Sequence, residues 1–307
     1  MLTSFFEKSK PIHFVLVSIF MVMGSFFWKE FFTFLEINTQ NLWQLLLINT
    51  LLLFTIFLLD FIINKNFLTQ KNSYSILFYV GFILMFPAVF FNLDVVITHL
   101  LLLLSFRRII SLSSEKNTKK KILDASLFIT LASLFYFWSI LFFLVLFFAI
   151  FQKTTKSYKF FFIPLVGFFT IIILATVYSL ITRDYFSWVF FLPKDTSLNF
   201  LTYNHFYLLL PVSLMLALII WSLFHFKKLF IAIKSNKKPT QRIVLLALIV
   251  LLFIVFLFPK KTGAEFIFIM APTSILVTNL IESIQEKWFK ETLLWLIVLM
   301  PLIIIFL

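Results

Sequence analysis

Ten apolar runs divide this chain, near residues 11–28, 42–63, 74–91, 95–112, 124–151, 160–182, 206–226, 243–258, 266–281 and 292–307. A helix needs about 20 apolar residues to cross a hydrocarbon core of roughly 30 Å. Inside a bilayer only helices and closed barrels satisfy every backbone polar group. Runs of this length therefore predict an all-α fold. With 62% apolar residues and a mean hydropathy of +1.07, the chain carries more apolar surface than a soluble domain can hide. The longest connection, Arg183 to Asn204, is too short for a separate soluble domain. The expectation is one integral membrane domain over residues 1–307. It is a polytopic transmembrane helical bundle of about nine full spans plus a short returning or re-entrant helix pair at 124–151.

Several chemistries have no residues to carry them. With no cysteine, disulfides, iron–sulfur clusters and thiol catalysis are excluded. The four histidines (His13, His99, His205 and His225) lack metal-ligand spacing, so no metal and no other cofactor is expected. The four glycines are isolated and build no phosphate-cradling loop and no GxxxG packing motif.

Lys and Arg in short loops stay on the cytoplasmic side, and the run 124–151 decides where they fall. As one helix it would be about 42 Å long. A single crossing there would put 14 basic residues inside and 12 outside. A returning pair, turning near Phe135–Trp138, gives 21 inside and 5 outside. The second division obeys the rule. It predicts a cytoplasmic N-terminus, a periplasmic C-terminus and a bacterial inner-membrane location. The net charge of +13 then lies almost wholly at the cytoplasmic face, against anionic lipids, and calls for no nucleic acid. "FNLD" (Phe91 to Asp94) is expected to make a tight turn with Asp94 as helix N-cap.

The five outer cations are Lys29, Arg183, Lys194, Lys260 and Lys261. Outer carboxylates include Glu30 and Glu36 in "WKEFFTFLEINTQN" and Glu265 in "FPKKTGAEFIF". If these loops meet, a carboxylate (Glu30, Glu36 or Glu265) is placed to act as a base. Lys260, Lys261, Arg183 and His205 are then placed to neutralise phosphate. Asp94 and His99 are the intramembrane polar candidates, since ionisable groups at membrane depth are costly. The structural alternative stays open: Lys260 and Lys261 could end one helix and Glu265 begin the next, each charge favoured by the helix dipole.

Two stretches, "LLLLSFRRIISLSSEKNTKKKILDASLFITLASLFYFWSILFF" and "PKKTGAEFIFIMAPTSILVTNLIES", make the whole chain resemble an uncharacterised family of Bacteroidota multi-pass inner-membrane proteins. That resemblance implies no established activity. At the level of architecture the chain also resembles C-superfamily glycosyltransferases, which use polyprenyl-phosphate sugar donors at the outer face. In some of those a late outer loop reads His-Lys-Glu-x-Arg-Phe before a proline. Lys261, Glu265, Phe266 and Pro272 look like a stretched version without the histidine and arginine. The expected function is handling a polyprenyl-linked phospho-sugar. The alternatives are a non-catalytic subunit or scaffold of a cell-envelope complex, with other subunits as partners, and a small-solute permease.

Overall fold

The computed structural model describes residues 1–32, 39–114, 116–152, 158–183, 196–197, 199–232 and 238–305. Among them every regular element is helical. The α-helices are α1 (Leu2–Phe6), α2 (Pro11–Phe32), α3 (Thr39–Asn66), α4 (Tyr74–Leu84), α5 (Leu93–Ile110), α6 (Thr118–Phe135), α7 (Phe143–Phe151), α8 (Lys159–Arg183), α9 (Phe206–Ala232), α10 (Lys238–Phe256), α11 (Ile267–Ser283) and α12 (Lys287–Ile305). Among the described residues seven stretches are long and apolar enough to cross a membrane: Pro11–Trp28, Leu42–Asn66, Leu93–Ser114, Lys159–Thr182, Phe206–Phe226, Lys238–Phe256 and Ala264–Ser283. On α8, Phe162, Val166, Phe169, Ile173 and Leu174 are all exposed. Water does not favour such a surface, and lipid does.

The chain divides into two compact units. Unit 1 comprises Met1–Val96, Asn199–Lys234 and Lys260–Leu307. At its centre α4 touches α2, α3, α11 and α12, and every α4 residue is buried. Gly81 of α4 faces Ile297 so closely that an added Cβ would fall 2.4 Å from Ile297 Cγ2. α11 is buried along most of its length and also contacts α9. The run 74–91 was expected to be one span but is not one helix. The α4 helix stops at Leu84, and Pro87–Phe91 form a 3-10 turn. Proline pushes the residue before it out of the helical region, and Phe86 sits at φ −122°, ψ 83°. The indole N–H of Trp28 donates to the Leu84 carbonyl at 2.9 Å, satisfying one of the acceptors that a helix end leaves open.

Unit 2 comprises Ile97–Leu198 and Ser235–Pro259. Here α6 lies along α8 and α7 packs on α10. At Gly167 of α8 an added Cβ would fall 1.9 Å from Ser126 Oγ of α6, the close approach that small residues permit in membrane bundles. The break expected at Phe135–Trp138 occurs there. α6 ends at Phe135, Tyr136 is extended (φ −139°, ψ 106°), and Phe137–Phe142 form a 3-10 turn into α7. α7 then lies against α6, as a returning pair requires. No glycine or proline makes this turn. Instead, buried Tyr136 packs on Phe258, with centroids 4.7 Å apart, and its hydroxyl donates to the Ile254 carbonyl of α10 at 3.3 Å.

One end of unit 1 gathers the segments expected at the cytoplasmic side. Glu282 accepts from the Gln70 N–H (2.9 Å) and the Asn72 side-chain amide (2.5 Å). His13 Nδ1 lies 3.0 Å from Ser73 Oγ. The Ser73 N–H donates to the Phe6 carbonyl at 3.0 Å. Glu291, at the start of the second turn of α12 ahead of its apolar run, accepts from the Leu2 N–H (2.6 Å), the Thr3 N–H (3.0 Å) and the Thr3 hydroxyl (2.6 Å). The Thr3 hydroxyl above all, with these N–H groups, draws the Glu291 carboxyl down to about 2 from its ordinary 4.5. A carboxyl lowered on folding contributes stability that is fully present above its ordinary value and fades as pH falls through the folded one. The protection of α1 amides relative to their intrinsic exchange rate should therefore be constant above pH 4.5 and fall as pH drops toward 2. Glu291→Gln should lower that protection at every pH. Unchanged exchange in that variant would dismiss the contact as a stabilising one.

Candidate functional site

The segment Lys260–Phe266 builds the densest polar cluster at the other end of α11. α10 ends at Phe256, so the two lysines lie past its last turn and do not cap it. Gly263 adopts φ +95°, a conformation open to glycine without penalty. This backbone kink aims the Gly263 N–H back at Glu265 Oε2, 2.8 Å away. The Thr262 hydroxyl lies 3.5 Å from the same oxygen. The other carboxylate oxygen, Oε1, accepts a short hydrogen bond from the Tyr203 hydroxyl. Tyr203 belongs to a 3-10 turn, Leu201–Asn204, just before α9.

Aromatic rings close over these groups. Phe266 stacks on Phe86 at 4.9 Å and touches Tyr203 at 5.6 Å. The Lys261 ammonium lies 5.2 Å from the centre of the Phe200 ring, within cation–π range. Glu265 has no exposed surface and Lys261 only 5%. A buried charge is tolerated when it is hydrogen-bonded and opposed by another charge: the Glu265 carboxylate has the hydrogen bonds, and its negative charge acts on Lys261. Burial pulls the Lys261 ammonium below its ordinary value, and the negative charge of Glu265 opposes that. Burial, then the charge and hydrogen bond of Glu265, push the Tyr203 hydroxyl far above the ordinary tyrosine range. Tyr203 is thus a constant donor at any physiological pH.

The other expected residues lie elsewhere or beyond view. Lys260 is exposed, while Lys261 beside it is buried, so the two do not act as one cationic patch. His205 is exposed, its ring against Tyr207 at 5.7 Å. Asp94 is not the N-cap of α5. The Val96 N–H bonds to the Asn92 carbonyl at 3.2 Å, so the helix starts at Leu93 with Asp94 in its first turn. The anion is favoured there as well. With Asn92, Leu93 and Phe91, Asp94 faces Trp43, Gln44 and Leu47 of α3 across an open cleft of about 530 Å³. His99 is buried in α5. Glu30 and Arg183 fall on the last turns of α2 and α8, their side chains outside the described residues, and Glu36 lies outside them altogether. No group of three or more His, Asp or Glu side chains among the described residues is arranged to hold a metal ion.

A model for a family of unknown function, DUF6427, matches residues 1–307. The chain belongs to that family. No curated protein and no solved structure matches it, so for this DUF6427 member the chemistry must be argued from its own residues. Tyr203 and Phe200, missed in the sequence, complete the cluster. Their signal was faint: one tyrosine in an aromatic stretch about sixty residues away from Glu265. Tyr203→Phe removes a donor from a buried carboxylate and should cost about 1–3 kcal/mol. Gly263→Ala puts a side chain at positive φ and should cost more than about 1 kcal/mol. Both should lower the apparent melting temperature in mild detergent. A Tyr203→Phe variant that melts like the parent would refute the donor role.

Proposed function

We propose that this protein handles a polyprenyl-linked phospho-sugar at the outer face of the bacterial inner membrane, in the manner of a glycosyltransferase. The observation that carries the reading is the Lys261–Glu265–Tyr203 cluster, a sealed ionisable set in a chain with few charges in its apolar parts. The open cleft of Trp43, Phe91, Asn92 and Asp94 in the same unit adds a surface that is aromatic on one side and polar on the other. That combination suits an amphipathic ligand. In this reading Glu30 is the base. Lys260 meets phosphate from the exposed side, and the buried cluster fixes the loop that presents Lys260. His205, exposed just ahead of α9, is a second candidate for contact with phosphate.

A second reading draws on a specific feature of the same cluster. Both oxygens of Glu265 already accept hydrogen bonds, which suits a structural fastening better than a working base. On that reading the chain is a non-catalytic subunit or scaffold of a cell-envelope complex. A small-solute permease ranks third, because nothing along α11 links Glu265 to Glu282 by an unbroken polar path: Ile267, Phe268, Ile269 and Met270 intervene.

Lipid analysis by mass spectrometry of the chain purified in mild detergent separates these readings. The lipid-substrate reading expects a polyprenyl phosphate species at near-equal stoichiometry, depleted several-fold by Lys260→Ala. It also expects Glu30→Gln to abolish turnover while the lipid stays bound. Protein partners at equal stoichiometry with no polyprenyl lipid would instead establish the scaffold reading. Orientation has its own measurement: a reporter fused after Thr154 should read cytoplasmic, and a periplasmic reading there would invert the assignment of every later loop.

A further inference from the structure

We infer that the turn joining α5 to α6 is a binding site for the phosphate group of an anionic phospholipid headgroup. This site is in unit 2, apart from the cluster around Glu265, and does not depend on the function proposed for that cluster. Between Arg107 and Lys121 the chain carries six cations: Arg107, Arg108, Lys116, Lys119, Lys120 and Lys121. Lys116, Lys119 and Lys120 are exposed. A charge run of this kind is usually a loose solvated loop, and here the described residues on both sides of Glu115 are folded.

Two fastenings make it rigid. The Lys121 ammonium reaches back ten residues to donate to the Ser111 carbonyl at 2.5 Å and to Ser114 Oγ at 2.6 Å. This pins the 3-10 turn Ser111–Ser114 to the start of α6. Arg108 pairs with Asp124 at 3.0 Å, clamping the last turn of α5 to the second turn of α6. Asn117, with φ +52°, turns the chain between them. The Ser111, Ser113 and Ser114 hydroxyls all donate to backbone carbonyls three residues earlier, at 2.9–3.0 Å. The turn Ser111–Ser114 is thus closed on itself and tied to the start of α6, from which Lys119 and Lys120 project.

The carboxylates that could neutralise these cations are few. Asp124 is engaged by Arg108, and Glu115 is the other acid of the segment. The ligand must therefore bring negative charge. The setting commits it to lipid. The turn follows directly on an apolar span, Leu93–Ser114, and precedes the apolar part of α6. Lys116, Lys119 and Lys120 thus stand where the chain leaves hydrocarbon, at the depth of lipid phosphates, and basic residues at such a position attract anionic headgroups. An ammonium treats a phosphate as a compact charge and needs no exact angle, so three lysines on one rigid turn hold a headgroup that moves.

The full chain, reconstituted in phosphatidylcholine nanodiscs containing phosphatidylglycerol and then extracted into mild detergent, can be weighed by native mass spectrometry. The parent should retain phosphatidylglycerol over phosphatidylcholine by about tenfold. The triple variant Lys116→Ala, Lys119→Ala, Lys120→Ala should lose that preference, and the triple Lys→Arg variant should restore it. Should the triple alanine variant fail to fold, Lys119→Ala and Lys120→Ala singly are each expected to lose part of the preference. Inorganic phosphate, added to delipidated protein, should protect it from heat less than phosphatidylglycerol vesicles do. Equal retention of the two lipids, or retention untouched by the alanine variants, would overturn the proposal. Equal protection by inorganic phosphate would overturn the lipid as the source of the phosphate.

Discussion

A carboxylate drawn out of water must be given hydrogen-bond donors by the protein, and in unit 1 this demand arises at both ends of one helix, fully for the buried Glu265 and in part for the half-buried Glu282. Glu265 just ahead of α11 takes donors from Gly263, Thr262 and Tyr203, and Glu282 near its other end takes them from Gln70 and Asn72. Three of those donors sit far away in sequence. The helix is therefore fixed lengthwise by polar contacts, while its sides pack largely through apolar residues. Apolar packing against lipid tails gives little preference for one helix partner over another. Polar contacts at the ends supply the register that packing leaves loose.

The helices themselves were plain in the sequence, because a run of apolar residues that must cross a hydrocarbon layer has one backbone solution. Nine of the expected runs appear as helices in their expected places. The break at Tyr136 was reached from charge counting alone, with no turn residue to mark it. What stayed hidden depends on contacts between distant residues. The early stop of α4 could have been read from Phe86–Pro87, but an unbroken apolar run outweighed one proline. α1 is five residues long and stands by virtue of Glu291, which no local pattern encodes. The candidate site was half legible. The charges of Lys261 and Glu265 stood out against their surroundings. That one lysine is buried and its neighbour exposed depends on Phe200 and Tyr203, which belong to a different stretch of chain.

The burial of that cluster also changes what it is fitted to do. A base that meets substrate needs an exposed lone pair, and the oxygens of Glu265 are turned inward. A carboxylate held by a phenol that never ionises, beside a desolvated ammonium, is a stable neutral assembly. It suits a support for a site better than the reacting part of one. By contrast, Lys260 next to it in sequence is exposed, and the cleft beside Asp94 is open.

Unit 1 is not continuous along the chain. Its first part ends at Val96, and its last begins at Lys260. α4 is buried along its whole length and needs α11 and α12 as neighbours, yet it leaves the ribosome far ahead of them. At a synthesis rate of about 5–20 residues per second, the nearly two hundred residues between them correspond to roughly ten to forty seconds. Throughout that interval α4 faces lipid or provisional partners, and the acceptors of Glu282 and Glu265 do not yet exist. The order of synthesis thus makes the C-terminal helices the closing step of assembly. A chain shortened there would lose the centre of unit 1 along with its edge.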